Sequence, residues 1–191
     1  KVENLDGSAI LDEINILVRQ CQSGKDLMNN PVRVNINNLG PRINSKYDDY
    51  GPVIHPNDSI IYFTSRRKNE RNDDRWEVDN RFYTDIYKSV LEDGEWQRAD
   101  VIQKEIYSKH NDAIIEVTEE PERLYIYRGD KGNGDIYYYE KNKRNKWRGP
   151  KKFSSQINTN DKESTISLSK DQRTVFFVSD RKGETLGKKD V

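Results

Sequence analysis

An acidic residue and a ring-bearing residue recur together three times in this chain, always thirteen positions apart: Asp49 with Tyr62, Asp112 with Tyr125, and Glu163 with Phe176. The acidic positions are separated by 63 and then 51 residues, and the longer interval contains an insertion. Each acidic residue follows an Ile-led stretch: Ile43–Asp49, Ile106–Asp112 and Ile157–Glu163. Each precedes an apolar run: Ile60–Phe63, Leu124–Tyr127 and Val175–Val178. Asp85-Ile-Tyr and Asp135-Ile-Tyr follow, and the third copy reaches Asp190-Val191. Trp96 and Trp147 lie eleven and twelve residues after Asp85 and Asp135. A repeat of this period makes each copy one supersecondary unit that buries its apolar faces against its neighbours.

The unit reads as a four-stranded antiparallel meander. Its first strand lies near 50–54, 113–116 or 164–168, ahead of a turn-rich spacer such as His55-Pro-Asn-Asp-Ser59. The second strand is the apolar run, whose adjacent apolar side chains indicate burial on both faces. Alternation returns at the two Asp-Ile-Tyr stretches, and the fourth strand falls near the tryptophans. Only 32% of residues are apolar while 10% are aromatic, a balance that suits narrow strands with wet surfaces. Repeated four-stranded units suit the blades of a β-propeller. The expected fold is therefore mainly β: an incomplete propeller of three four-stranded antiparallel blades, at about 32–98, 99–149 and 150–191, preceded by one α-helix. The last blade is expected to be incomplete, with further blades beyond residue 191.

The helix belongs to a lead-in over residues 1–31. Ile10, Leu11, Ile14, Leu17, Val18 and Cys21 form one stripe at steps of three and four, with Ser8 as cap and Gly24 as stop. A helix of that length needs a partner surface. It either covers part of the β region or ends an upstream tetratricopeptide-like helical region. Cys21, the single cysteine, excludes an internal disulfide and a cysteine-based zinc site, and its place on the stripe predicts a packed thiol.

The stretch Leu39–Pro52, followed by Ile61-Tyr-Phe-Thr-Ser-Arg-Arg67 and Asp85-Ile-Tyr87, resembles the TolB-type, WD-like propeller repeat. It is similar in particular to the form in OmpA-family, peptidoglycan-associated envelope proteins of Bacteroidetes. The second copy departs from the pattern, with Tyr127-Arg-Gly-Asp130 in place of Thr64-Ser-Arg66. The resemblance implies a cell-envelope scaffold on the periplasmic side of the bacterial outer membrane, in a type IX secretion or gliding-associated assembly. Peptidoglycan binding would belong to a domain outside these residues.

The chemistry-bearing residues point away from catalysis. Asp49, Asp112 and Glu163, and likewise Asp85, Asp135 and Asp190, recur once per unit, which is how structural strand-end hydrogen bonds behave. His55 and His110 occupy unequal places and have no companion ligands, so neither metal nor cofactor is expected. No nucleophile elbow or phosphate loop occurs. Gly129–Asp135 reads as a hairpin connection rather than a calcium loop, and the basic stretch Lys141–Arg148 as a hairpin tip. The insertion Arg66–Asp85 is the most individual segment. Its six basic and six acidic side chains cancel, while Trp76, Phe82 and Tyr83 offer contact surface to a protein partner. Zero net charge argues against nucleic acid, and no apolar run spans a bilayer. A non-enzymatic, protein-binding scaffold is the leading expectation; the alternatives are a carbohydrate- or peptide-processing enzyme or its accessory domain, and a passive structural spacer.

Overall fold

A computed structural model describes residues 7–69, 74–102, 106, 108–130 and 133–181. The chain divides into two compact units, Lys1–Asn38 and Leu39–Val191.

The first unit holds one helix, α1 (Gly7–Asn29). It runs straight through Gly24, because a mid-helix glycine costs only about 1 kcal/mol relative to alanine and the following Lys25–Met28 are adequate helix formers. Pro31 lies just beyond its end. Ile10, Leu11, Ile14, Leu17 and Val18 are all exposed, and so is Cys21, which corrects the expectation of a packed thiol.

The second unit is built of three antiparallel sheets formed in chain order. The first comprises β1 (Asp49–Ile54), β2 (Ile60–Ser65), β3 (Asp85–Glu92), β4 (Glu95–Trp96) and β5 (Asp100–Val101). The second runs β6 (Asp112–Glu119), β7 (Glu122–Asp130), β8 (Asn133–Lys141) and β9 (Trp147–Lys152). The third pairs β10 (Glu163–Leu168) with β11 (Val175–Ser179). Repeat-equivalent residues hold equivalent registers: Asp49 faces Ser65, Asp112 faces Arg128, and Glu163 faces Ser179. Each first strand also carries a register shift one to three residues past its start. Only residues 131–132 separate β7 from β8, so the glycine-rich stretch is a tight hairpin.

The second strands of the first two copies are buried on both faces, as their unbroken apolar runs lead one to expect, whereas in β11 Phe176 is exposed and only Ser179 is fully buried, which corrects that expectation for the third copy. Ile61 and Phe63 enter a core with Ile43, Tyr87 and Ala99 on one side of the first sheet. Tyr62 enters a different core, shared with Ile114, Val117, Leu124, Ile126 and Tyr139 of the second sheet. Tyr125, on the opposite face of β7, meets Ile157 and Ile166 in a third core. Alternate residues of one strand thus join successive sheets. Two asparagines stitch the seams: Asn111 Oδ1 accepts from the Thr84 amide at 3.1 Å, and Asn158 exchanges two bonds with the Ile136 backbone at 2.8 and 2.9 Å.

These sheets correct the propeller expectation, and with it the WD-like, TolB-like and OmpA-family labels. One sheet is curled into a half-barrel and the other two are open, so the chain is not three equivalent blades. The described residues give sheets of five, four and two strands. In the first, β4 and β5 both pair with β3, because the chain reverses at Asp93–Gly94 and then runs antiparallel along β3 with a break at 97–99: Gln97 donates to the Val90 carbonyl and Ile102 to that of Ile86. Strand periodicity specifies which faces are buried, and it leaves open how the strands beyond the central pair are arranged. The Asp190 position, and with it the third copy's expected continuation, lies outside the described residues.

Candidate functional site

The recurring carboxylates are brought into three near-identical clasps. In the first, Arg67 donates to Asp49 Oδ1 at 2.7 Å and to the Ile43 carbonyl at 2.7 Å, while its Nε bonds Ser65 Oγ at 2.9 Å. The Ser45 amide closes the other side, donating to Asp49 Oδ2 at 2.6 Å. In the third, Arg181 reaches the Ile157 carbonyl at 2.7 Å and Ser179 Oγ at 2.9 Å, and Thr159 donates to Glu163 from its amide and its hydroxyl. Arg67 stacks on Phe63 and Arg181 on Phe177. The second clasp is rewired. Arg128 stands where Ser65 and Ser179 stand in the other copies, so its guanidinium meets Asp112 directly, with two bonds of 2.7 and 3.0 Å. Tyr139 carries the link onward from Arg128 to the Ile106 carbonyl. The unusual Tyr-Arg-Gly sequence is thus the mark of a different route to the same anchor point.

Every clasp ties the Ile-led loop before a sheet to that sheet's first two strands, and this fixes the carboxylates' role. Asp112 and Glu163 are 2% and 0% exposed. Their oxygens are already occupied by guanidinium and hydroxyl or amide donors, which leaves no proton-transfer position facing solvent. The other repeated pair diverges: Asp85 is buried and accepts from Asn69 at 2.9 Å, whereas half-buried Asp135 pairs with Lys152 at 3.0 Å. His55 is buried at the β1–β2 turn, where its Nδ1 accepts from the Asn57 amide. His110 is exposed.

Burial alone would raise the Asp49 carboxyl, but hydrogen bonds from Arg67, Ser65 and Ser45 outweigh it and hold the group below the usual carboxylate range. A depressed folded value stabilises the protein above the unfolded value, near pH 4, and that contribution disappears as pH falls through the folded value. Asp49→Asn is therefore expected to lower stability at pH 7, and the gap from the parent should narrow at pH 3. Urea unfolding at the two pH values measures it; a gap that is constant with pH would show that the charge of Asp49 contributes nothing.

The insertion is anchored on the same first sheet. The Trp76 amide donates to the Arg81 carbonyl across a turn at 77–79, and Arg75 bridges to Phe82. Two ion pairs fold the arm back: Arg66 with Asp79 at 2.8 Å and Arg81 with Asp48 at 2.6 Å. Phe82 is buried, edge-on to Tyr47 and beneath the Arg75 guanidinium. Trp76 is half-buried under Arg66, and Tyr83 is half-buried. Of the three aromatics the sequence singles out, Trp76 and Tyr83 retain accessible surface, while Phe82 serves as the arm's anchor.

Between the arm and the loop before β1 lies a hollow of about 500 Å³. Among the described residues, Lys46, Arg66, Lys68, Arg75 and Arg81 line it against a single acidic residue, Asp48. A neighbouring hollow of about 600 Å³ shares Tyr47 and Lys68 with the first and adds Arg42, Arg67 and Arg98 against Asp100. Together these adjoining hollows make up a basic groove beside the first sheet's loops. Sequence reading missed it because the insertion's charges cancel in number. Folding separates them: Asp79 is held by Arg66 and Asp85 is buried with Asn69, while Arg42, Lys46 and Arg98 arrive from elsewhere in the chain.

Among the described residues no group of three or more His, Cys, Asp or Glu side chains is arranged to hold a metal ion. No described helix is long and apolar enough to cross a membrane. No family model, curated protein or solved structure matches this chain, so the envelope-protein resemblance has no independent support.

Proposed function

We propose that the β unit is a non-enzymatic recognition module that takes a protein partner on the face formed by the arm's described residues, 66–69 and 74–82, and the basic groove. The observation that carries this reading is the contrast in charge placement. Asp112 and Glu163 are buried in structural clasps, whereas among the described residues eight cationic side chains and two acidic ones line the groove, Arg67 serving in the Asp49 clasp as well. Partner recognition is a use for such an arm on a rigid scaffold, with half-buried Trp76 able to act as an aromatic anchor at its base. A placement on the periplasmic side of an outer membrane enters this proposal only through the family resemblance.

Trp76→Ala tests it. With the 191-residue chain as bait in extracts of cells that express it, the substitution should weaken capture of a partner that the parent retains. Domain stability should change by less than about 1 kcal/mol, as at other partly exposed positions. Equal retention of every captured protein by parent and variant would remove the arm from the recognition surface.

A further inference from the structure

Resting on that recognition role, we infer that the segment seated in the groove is an extended acidic stretch of the partner, held through its Asp and Glu carboxylates. Charge is the first argument. Of the eight groove cations, Arg42, Arg66, Arg67 and Arg81 are paired with Glu95, Asp79, Asp49 and Asp48, and Lys68 is engaged as well. Lys46, Arg75 and Arg98 against Asp100 still leave the described face positive. A groove lined by one sign of charge concentrates ligands of the other.

Chemistry narrows the ligand to carboxylates. Four of these guanidiniums already bind carboxylates of this chain, at 2.6–2.8 Å. The Arg81–Asp48 pair closing the first hollow is solvent-exposed, with side chains 62% and 52% accessible. An exposed pair of this kind holds together by no more than about 1 kcal/mol, so an incoming carboxylate can exchange for Asp48 at little cost. Arginine's planar fork suits that exchange.

Shape and the rings decide between an acidic peptide and other polyanions. Two adjoining hollows of about 500 and 600 Å³ that share Tyr47 and Lys68 give room for several carboxylates of one chain segment, more than a compact ion would fill. Single-stranded nucleic acid would require open aromatic faces on which bases stack. Here Phe82 is buried against Tyr47, and Arg66 covers Trp76. The rings that line the hollows, Tyr47, Phe82 and Tyr87, are engaged within the protein, so the groove itself offers charge without open stacking platforms.

The test is calorimetric titration of the full chain with an Asp/Glu-rich peptide, its Asn/Gln counterpart, a single-stranded DNA oligomer and an acidic polysaccharide. The acidic peptide should bind with an affinity that falls as salt rises, and the amide counterpart should not bind. Reversing charge at two exposed groove positions, Lys46→Glu with Arg75→Glu, should weaken the acidic peptide by at least about tenfold. Lys143→Glu with Arg144→Glu, on the exposed β8–β9 turn, should change it by less than about twofold. Should the groove variant lose its fold, the salt dependence of the parent and its discrimination between the two peptides decide the matter. Salt-independent binding, equal binding of the amide peptide, tighter binding of DNA or polysaccharide, or an equal loss at the β8–β9 turn would each overturn the inference. If no acidic peptide binds while Trp76-dependent capture persists, this inference alone fails; if both are lost, the recognition role fails with it.

Discussion

Arg128→Ala is expected to lower the stability of the β unit by about 3–5 kcal/mol, because it strands a buried carboxylate. Asp112 is 2% exposed and receives two guanidinium bonds, at 2.7 and 3.0 Å. The carboxylate in turn holds Arg128 more firmly protonated than a free arginine, although burial acts against its charge. Ser108 alone cannot neutralise what is left when the guanidinium is removed. Tyr139 would lose its donor as well, loosening the link to the Ile106 carbonyl. For a unit of this size the loss corresponds to a fall in Tm of roughly 10 °C. Arg42→Ala is the comparison, since its pair with Glu95 is exposed on both sides; it should cost less than about 1 kcal/mol. Similar losses for the two variants would show that the clasp is no stronger than a surface ion pair.

Tyr125→Ala should cost about 3–5 kcal/mol, against less than about 1 kcal/mol for Phe176→Ala at the same repeat position. The two rings are equivalent in sequence, each thirteen residues after its acidic partner. Their surroundings differ. Tyr125 is 2% exposed and packs against Ile157 and Ile166 of the next sheet, with Phe153 edge-on to its ring. Phe176 is 57% exposed. Thermal or denaturant unfolding of the two variants measures the difference; equal losses would mean that the cores between sheets do not hold the unit together.

This pair also shows how far the sequence could be read. The thirteen-residue offset identifies the second strands, and Ile60–Ser65, Glu122–Asp130 and Val175–Ser179 stand in three separate sheets. It does not identify what lies opposite each ring, because burial depends on the next sheet and not on the repeat itself. The clasps were half legible. Asp49, Asp112 and Glu163 stand out by recurrence, and a hydroxyl residue precedes each by four positions: Ser45, Ser108 and Thr159. Their arginines were hidden by irregular spacing, since Arg67 and Arg181 lie eighteen residues after the acid and Arg128 only sixteen. Register explains the difference, because Arg128 takes the place of the serine and reaches the carboxylate directly. The blade arrangement failed for a related reason. The strand that returns along β3 after the turn at Asp93–Gly94 is broken at 97–99, and nothing in the alternation of Asp85–Glu92 indicates that interruption. The groove was invisible because it is assembled from residues more than fifty positions apart, Arg42 to Arg98.

The charged residues fall into clasps that hold sheets together and a groove that meets a partner, with Arg67 serving both. Hydrogen exchange with and without a saturating Asp/Glu-rich peptide tests that division most directly. Protection should increase at 45–48, 66–69 and 74–82, and the amides of the Asp112 and Glu163 clasps should exchange as they do in the free protein. Protection confined to the basic β8–β9 turn and Trp147–Lys152, or spread evenly over the three sheets, would contradict it.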